Sequence, residues 1–248
     1  MRESSDLSVS INDSLLFEDK ANHLMNHLAE MSTEEIKKSM KLSDKLAGQV
    51  KQLNSGTTAR GSLPAADAFI GDMYSGLGVR EWDAKDWAYA NKHLRILSGL
   101  YGVLRPADPI KPYRLEMGYP TAPQPHKNLY SFWGDMLMTE FAGHEIVDLS
   151  AKEYTKAVLP YLTSEKVVSP KFMTFNKKSS KPKFVTIHAK IARGIFAHWM
   201  IANKVSSIAD IIAFHEHGYK FSQELSNPEE PVFVCNEFLA KGLSIRLS

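Results

Sequence analysis

Six prolines fall within twenty residues in the middle of the chain, and they constrain the fold more than any other feature of the sequence. Proline fixes φ and has no backbone N–H, so neither a helix interior nor a central strand tolerates such a run. We therefore expect an ordered loop or a series of short turns from Pro106 to Pro125. This loop carries Lys111, Tyr113, Arg114 and Glu116. Loops of this length usually serve a function.

A tight turn is expected directly before this loop, in the stretch LRILSGLYGVLRPADPIKPYRLEMG at 94–118. Gly99 and Gly102 flank two residues, and glycine allows a sharp turn whose N–H groups can face an anion. Four cations lie in the same stretch, namely Arg95, Arg105, Lys111 and Arg114. The pattern indicates a phosphate-binding region. The alternative is a turn that ends a helix, with its arginines on a solvated face.

Composition excludes several classes of protein. With 248 residues, 44% hydrophobic and 23% charged, the chain can bury a full core and is not a disordered tail. The single cysteine, Cys235, excludes an internal disulfide and fits a reducing compartment, and its apolar neighbours predict a buried side chain. No stretch approaches the roughly 18 apolar residues of a membrane span, and the polar start lacks the core of a secretory signal. We expect a cytoplasmic protein without membrane contact.

Charge is unevenly distributed although the net charge is only +2. The first forty residues are acidic, whereas no acid occurs between Glu165 and Asp210. Such a basic run favours a surface for a polyanion. For the lysines from Lys177 to Lys183, the alternative is a hairpin tip that keeps the chain soluble. Lys190 and Arg193 lie beyond that tip and are the stronger candidates.

Hydrophobic periodicity and cap signals predict a mixture of helices and strands without a strict βαβ rhythm. The expected helices are Leu15–Met31 with Ser14 as its cap, a second through Lys45 that begins with a Ser32–Glu35 capping box, Asp83–Leu97, Tyr130–Phe141 and Ala189–Lys204. The expected strands are Glu145–Leu149, Glu165–Ser169, Lys171–Asn176, Lys183–His188, Gly218–Phe221 and Val232–Asn236. The fold class is therefore α+β.

Motifs spread over most of the chain resemble the YaaA family of bacterial peroxide-stress proteins. They are SDKLAG (43–48), FIGDMYSGL (69–77), the 94–118 stretch, LYSFWGD (129–135), EY (153–154), AKIARG (189–194) and GY (218–219). The resemblance implies one compact α+β domain over residues 1–248, with a helix-hairpin-helix element beside a positively charged cleft. It also implies binding of double-stranded or branched DNA, and protection from hydrogen peroxide by lowering available iron.

Carried onto this chain, the resemblance places the helix-hairpin-helix within Leu94–Arg105. Such an element contacts phosphate oxygens through N–H groups and arginines, so binding should not depend on base sequence. The candidate DNA-binding residues are Arg95, Gly99, Tyr101, Gly102, Arg105, Lys111, Arg114, Lys190 and Arg193. The chain departs from the family twice: we expect its usual N-terminal strand with Ser-Pro-Ala-Lys to be absent, and Asp148 adds a charge in DLSAKEY (148–154).

An enzyme acting on a small anionic or nucleotide-like ligand in the same cleft is the alternative function. Four acids within the motifs are its candidate catalytic residues: Asp72, Glu116, Asp135 and Glu153. Carboxylates can do acid–base work or hold a metal, but only at bonding distance. For Asp72 and Asp135, capping or ion pairing at a helix end is the competing interpretation.

Two histidine pairs are candidate metal ligands. His23 and His27 lie four residues apart in a predicted helix, but Lys20 and Glu30 share that face, which favours a solvated surface. His215 and His217 would share one face of an extended segment, yet no third ligand is near in sequence. We expect no metal site and no cofactor, so that any effect on iron would be indirect.

Overall fold

The computed structural model describes residues 1–243 except 3, 6, 8, 55–60 and 176–180, with only the backbone of Lys241. Its helices are α1 (Glu18–Glu30), α2 (Thr33–Met40), α3 (Asp44–Asn54), α4 (Ala65–Ala68), α5 (Asp72–Leu77), α6 (Ala84–His93), α7 (Leu129–Trp133), α8 (Lys152–Thr155) and α9 (Thr186–Ala202). Short 3₁₀ helices occupy Val79–Glu81, Met136–Glu140, Leu159–Tyr161, Ile208–Ala213, Glu216–Gly218, Gln223–Leu225 and Lys241–Leu243.

The strands are short. They are β1 (Leu63–Pro64), β2 (Ile96–Ser98), β3 (Gly102–Leu104), β4 (Pro109–Ile110), β5 (Ile146–Val147), β6 (Val167–Val168), β7 (Lys171–Phe175), β8 (Pro182–Lys183), β9 (Tyr219–Phe221) and β10 (Val232–Cys235). Most pair in twos, as β1–β4, β2–β3 and β5–β6, whereas the largest described sheet has the order β8-β7-β10-β9. The mixed α+β class is confirmed.

The chain divides into two compact units built from interleaved segments. Unit 1 comprises Met1–Ala68, His93–Ala142 and Ser150–Thr163. Unit 2 comprises Phe69–Lys92, Gly143–Leu149 and Ser164–Ser248. The expectation of a single domain over 1–248 stays a prediction.

The N-terminal helices of unit 1 match the sequence in part. Ser32 and Glu35 form the predicted capping box at the start of α2. The predicted cap at Ser14 is wrong, because α1 begins at Glu18 after Phe17, whose ring packs edge-to-face on Trp133 at 5.9 Å. The second helix ends at Met40 instead of Lys45, since Lys41 takes a left-handed conformation with φ 52°.

A β-hairpin occupies the position expected for the helix-hairpin-helix, so that placement within Leu94–Arg105 is corrected. The helix predicted to reach Leu97 ends at His93, and β2 then pairs with β3 in antiparallel register, Ile96 opposite Leu104. Gly102 turns the chain with φ +73°, and a Cβ there would lie 2.9 Å from the Trp133 ring. Close packing on Trp133 therefore favours a tight strand turn over a helix.

The loop from Pro106 to Pro125, which the structure describes throughout, contains one regular element, β4. The prediction of a loop without extended regular structure is confirmed. At its start, the guanidinium of Arg105 donates to the buried carboxylate of Asp108 and to the carbonyl of Ser14. Asn12 donates to the same carboxylate at 2.6 Å. Asp108 thus joins the loop to the N-terminal segment.

Unit 2 is organised by α9, which packs on the β8-β7-β10-β9 sheet and crosses α5. Phe172 of β7 lies opposite Phe233 of β10 in a parallel pair, and both rings contact Phe196 of α9. A Cβ on Gly194 would lie 1.9 Å from the Met73 carbonyl oxygen, and one on Gly76 would lie 2.3 Å from that of Ile191. The two helices can approach this closely only with glycine at the crossing.

The remaining sequence predictions have mixed outcomes. The strands predicted in the tail pair as β9 and β10, and Cys235 is buried as expected. The helix predicted over Tyr130–Phe141 is interrupted at Gly134, where φ is +52°. Lys177 and Lys178 of the predicted hairpin tip lie outside the described residues. Within the described ranges, no helix is long and apolar enough to cross a membrane.

Candidate functional site

Residues from three separate motifs meet in unit 1. The Tyr154 hydroxyl on α8 donates to Glu116 Oε2 in the proline-rich loop at 2.7 Å. The neighbouring Glu153 accepts from the Gly118 N–H at 3.3 Å through its carboxylate, and from the Tyr130 hydroxyl of α7 at 3.0 Å through its carbonyl. Glu116 and Glu153, two of the candidate acids, are therefore brought together around Tyr154.

A second pair of hydroxyls extends this group towards the hairpin. The Tyr113 hydroxyl lies 2.6 Å from Ser98 Oγ, which also accepts from the Tyr101 N–H at 2.9 Å. The Tyr101 and Tyr113 rings meet edge-to-face with centroids 5.3 Å apart. We call Ser98, Tyr113, Glu116, Tyr130, Glu153 and Tyr154 the tyrosine–glutamate cluster.

Backbone packing holds the cluster in place. A Cβ on Gly99 would lie 2.4 Å from the Leu115 carbonyl oxygen, so the hairpin turn and the Glu116 segment touch through their backbones. Trp133 Nε1 donates to the Gly99 carbonyl at 3.1 Å and fixes the same turn. Leu115 and Met117 are buried on either side of Glu116, which leaves the Glu116 carboxylate directed at Tyr154.

The surroundings keep the phenols of Tyr154 and Tyr130 protonated. Burial raises the pKa of Tyr154 far above its ordinary value, and nearby Tyr113 and Glu116 raise it further. Burial followed by the charge of Glu153 raises the pKa of Tyr130. A phenol that cannot ionise at neutral pH is a hydrogen-bond donor. The cluster therefore combines two carboxylates with neutral donors, a set capable of acid–base work or of binding a polar ligand.

Two of the four cations in the 94–118 stretch are neutralised by carboxylates. Arg95 Nε lies 3.3 Å from Glu140 Oε2, and the Arg105 guanidinium lies 2.8 Å from Asp108 Oδ1. A guanidinium already paired with a carboxylate has less to offer a phosphate, since the ligand must compete with the internal anion. The geometry of Arg95 and Arg105 is that of structural ion pairs.

The other two cations of the stretch, Lys111 and Arg114, differ from this pair. Lys111 is exposed, Arg114 is half-buried, and neither has an ion-pair partner in the part of the chain that the structure describes. The Nε atom of Arg114 is itself buried and has no hydrogen-bond partner among the described residues. A buried donor without an acceptor is costly. An anion bound beside Arg114 would supply the hydrogen-bond acceptor that its Nε atom lacks among the described residues.

The hairpin turn itself lies in the interior. Leu100 and Tyr101 are 2% and 3% exposed, and Gly99 and Gly102 are buried as well. The Tyr101 N–H is already bonded to Ser98. Gly99, Tyr101 and Gly102 are thus buried beside the tyrosine–glutamate cluster, where they help to position its side chains.

The remaining basic candidates are on α9 of unit 2. Lys190 is exposed, and Arg193, one turn further, is half-buried. Burial lowers the pKa of Arg193, while the neighbouring carboxylate of Asp148 raises it. Asp148 is the residue that adds a charge to the family motif in this chain. It therefore lies beside Arg193, a candidate phosphate-binding residue.

Two candidate acids lie outside the tyrosine–glutamate cluster. Asp72 is the first residue of α5 in unit 2, and Asp135 is an exposed residue preceding a 3₁₀ helix. Within the described ranges, no group of three or more His, Cys, Asp or Glu side chains could hold a metal ion. His23 stacks on Phe132, and His215 Nδ1 bonds the nearby Ala213 carbonyl.

Sequence reasoning did not single out Ser98 or Tyr154 as site residues, and it missed a cavity of about 400 Å³ in unit 2. That cavity is lined in part by Glu81, His198 and His217. His198 Nδ1 lies 3.0 Å from the Leu77 carbonyl oxygen. Both Ser98 and Tyr154 lie within motifs that carry the family resemblance. That membership is the sequence signal that could have identified them as site residues. No spacing pattern in the sequence pairs His198 with Glu81, because only the folded chain brings these two side chains close together.

Comparison with known proteins shows which family this chain resembles. A family model described as "Peroxide stress protein YaaA" matches residues 2–225. A UPF0246 protein of Salinispora tropica is 48% identical over 231 residues, covering 92% of this chain and 88% of its own length. A UPF0246 protein of Shewanella baltica is 38% identical over 219 residues, covering 84% of each chain.

This chain belongs to the YaaA peroxide stress protein family. The resemblance drawn from the motifs is thereby confirmed.

Proposed function

We propose that this protein binds double-stranded or branched DNA through its phosphates, without sequence specificity, and thereby helps to limit iron-dependent damage during peroxide stress. The observation that carries the proposal is the contrast among the cations of the 94–118 stretch. Arg95 and Arg105 are paired with carboxylates, whereas Lys111 and Arg114 have no such partner among the described residues. Membership of a peroxide stress family supports the biological setting.

Phosphate recognition fits the chemistry of these two residues. Arg114 offers a planar guanidinium whose buried Nε lacks an acceptor, and arginine matches the geometry of phosphate oxygens. Lys111 adds a mobile point charge three residues away. Contacts to phosphates position a duplex without reading its bases. Lys190 and Arg193 of unit 2 are the second proposed contact group.

The test is duplex affinity measured by fluorescence anisotropy over a salt series, with a random-sequence duplex and a four-way junction. Affinity should fall by about 0.9 log unit per log unit of salt for each phosphate neutralised. Lys111→Ala with Arg114→Ala should weaken binding and flatten this slope. Lys45→Ala, an exposed lysine of α3, is the matched control and should leave both unchanged. A flat salt dependence of the unmodified protein would contradict the proposal.

The second candidate function is an enzyme acting on a small anionic or nucleotide-like ligand. The observation in its favour is the convergence of Glu116, Glu153 and Tyr154 in one cluster. Glu116→Gln discriminates between the two functions. If DNA binding is intact but protection from peroxide is lost, the enzyme is favoured; if protection persists and depends on Arg114, DNA binding is favoured. A protein that only binds partner proteins would show neither effect.

A further inference from the structure

Three tyrosines of unit 1, namely Tyr101, Tyr113 and Tyr154, form a series in which the first is buried and the other two are half-buried. The Tyr101 and Tyr113 rings are in edge-to-face contact with centroids 5.3 Å apart. Burial raises the pKa of Tyr154, and Tyr113 lies near enough to raise it further. The Tyr154 hydroxyl ends the series by donating to the Glu116 carboxylate at 2.7 Å. A phenol bonded to an anionic acceptor is the arrangement from which an electron and a proton can leave together.

We propose that Tyr154 is a one-electron redox site that quenches an oxidising radical; the choice of an oxidised nucleobase as that radical rests on the proposed DNA binding. One electron leaves the Tyr154 ring for the oxidant. The Tyr154 O–H bond breaks, and its proton forms a new O–H bond on Glu116 Oε2. The products are a neutral tyrosyl radical, a protonated Glu116 and the oxidant reduced by one electron. A one-electron reductant such as a thiolate closes the cycle, while Glu116 returns the proton.

The geometry favours Tyr154 as the place where the radical rests. An oxidised phenol is a very strong acid, so an acceptor already at hydrogen-bond distance makes the loss of the electron easier. A carboxylate is a stronger acceptor than a neutral hydroxyl such as that of Ser98, which faces Tyr113. The raised pKa of Tyr154 keeps its proton in place until the electron departs.

The test uses the full chain without DNA, so its outcome is independent of the proposed DNA binding. Azide radicals, generated by pulse radiolysis, oxidise the protein, and electron paramagnetic resonance of rapidly frozen samples detects tyrosyl radicals. We expect a persistent tyrosyl signal that Tyr154→Phe largely removes. Glu116→Gln retains the phenol of Tyr154 but removes its proton acceptor, so the radical should decay faster. We expect a change of about tenfold, which is the effect of one charge-assisted hydrogen bond on the barrier to radical decay.

Tyr161→Phe is the matched control, since Tyr161 belongs to the same unit and is 36% exposed. It should leave the signal unchanged. Fluorotyrosine placed at position 154 gives a second measurement in a folded protein, because it alters the hyperfine pattern only if the radical is there. An unaltered pattern, or an unchanged signal in Tyr154→Phe, would overturn the proposal.

Discussion

Unit 2 buries a cluster of phenylalanine rings against one another, whereas in unit 1 the hydroxyls of Tyr154 and Tyr113 form hydrogen bonds with polar side chains. In unit 2, the rings of Phe172, Phe196, Phe214 and Phe233 lie with centroids 4.9 to 6.3 Å apart. In unit 1, Tyr154 and Tyr113 are joined to Glu116 and Ser98 by hydrogen bonds of 2.7 and 2.6 Å. Aromatic residues thus serve two different purposes in one chain.

The difference lies in the free energy of burial. Apolar area removed from water stabilises a fold by about 25 cal/mol per Å². A buried hydroxyl or carboxylate must first lose its hydration, and its hydrogen bonds offset that loss with little surplus. We therefore expect the aromatic core of unit 2 to dominate stability, and the tyrosine–glutamate cluster to be dispensable for folding. Four measurements test this contrast.

The largest effect is expected for Phe172→Ala. The ring is buried among four other aromatic residues, so its removal should lower the free energy of unfolding by about 4 kcal/mol through lost transfer energy and a cavity. Phe184→Ala is the control, because Phe184 is 57% exposed and should change stability by less than about 0.5 kcal/mol. Urea unfolding measures both. Equal effects would refute the role given to the core of unit 2.

Gly194→Ala should be nearly as harmful. Its Cβ would lie 1.9 Å from a backbone carbonyl oxygen of α5, and backbone can move aside only if the helix crossing opens, at about 3 kcal/mol. Gly48→Ala in α3 meets nothing within 4 Å and should stabilise by up to about 1 kcal/mol through helix propensity. Thermal unfolding of the two variants compares them, and a neutral Gly194→Ala would show that the crossing is loose.

Arg105→Met tests whether the ion pair between Arg105 and Asp108, a polar contact of unit 1, stabilises the fold. The change leaves the fully buried Asp108 carboxylate without its cation. Because Arg105 is partly exposed and Asp108 keeps other donors, we expect a loss of about 2 kcal/mol, below the usual figure for a buried pair. Lys111→Met should stay within about 0.5 kcal/mol. If the two variants unfold at the same urea concentration, the distinction between paired and unpaired cations fails.

The smallest effect concerns the ionisation of Tyr154. Its pKa is raised in the folded state, so its contribution to stability is complete below the unfolded value of about 10 and declines as pH rises above it. The unmodified protein should lose up to about 1 kcal/mol per pH unit more than Tyr154→Phe above that pH. At pH 7 the two should differ by less than about 1 kcal/mol. Urea unfolding at several pH values between 7 and 11 shows this, and parallel pH profiles would contradict it.

Local sequence signals predicted local structure well. The Ser32–Glu35 capping box, the loop between Pro106 and Pro125 and the paired strands of the tail all follow from interactions between residues close in sequence. The turn at Gly99–Gly102 is predicted correctly, but the helix expected to reach Leu97 and the helix-hairpin-helix implied by the resemblance are wrong. The β-hairpin found there is held by Trp133, which is distant in sequence and donates to the Gly99 carbonyl. Propensity alone does not contain that contact.

The candidate site shows the same division. The sequence by itself determined the α+β class, the family, the cations of the 94–118 stretch and the acids Glu116 and Glu153. Only the tertiary structure decided that Glu140 neutralises Arg95, and that Glu116 lies against Tyr154. The physical reason is that hydrogen bonds and ion pairs act over a few ångströms, while their partners here are up to 45 residues apart in the chain.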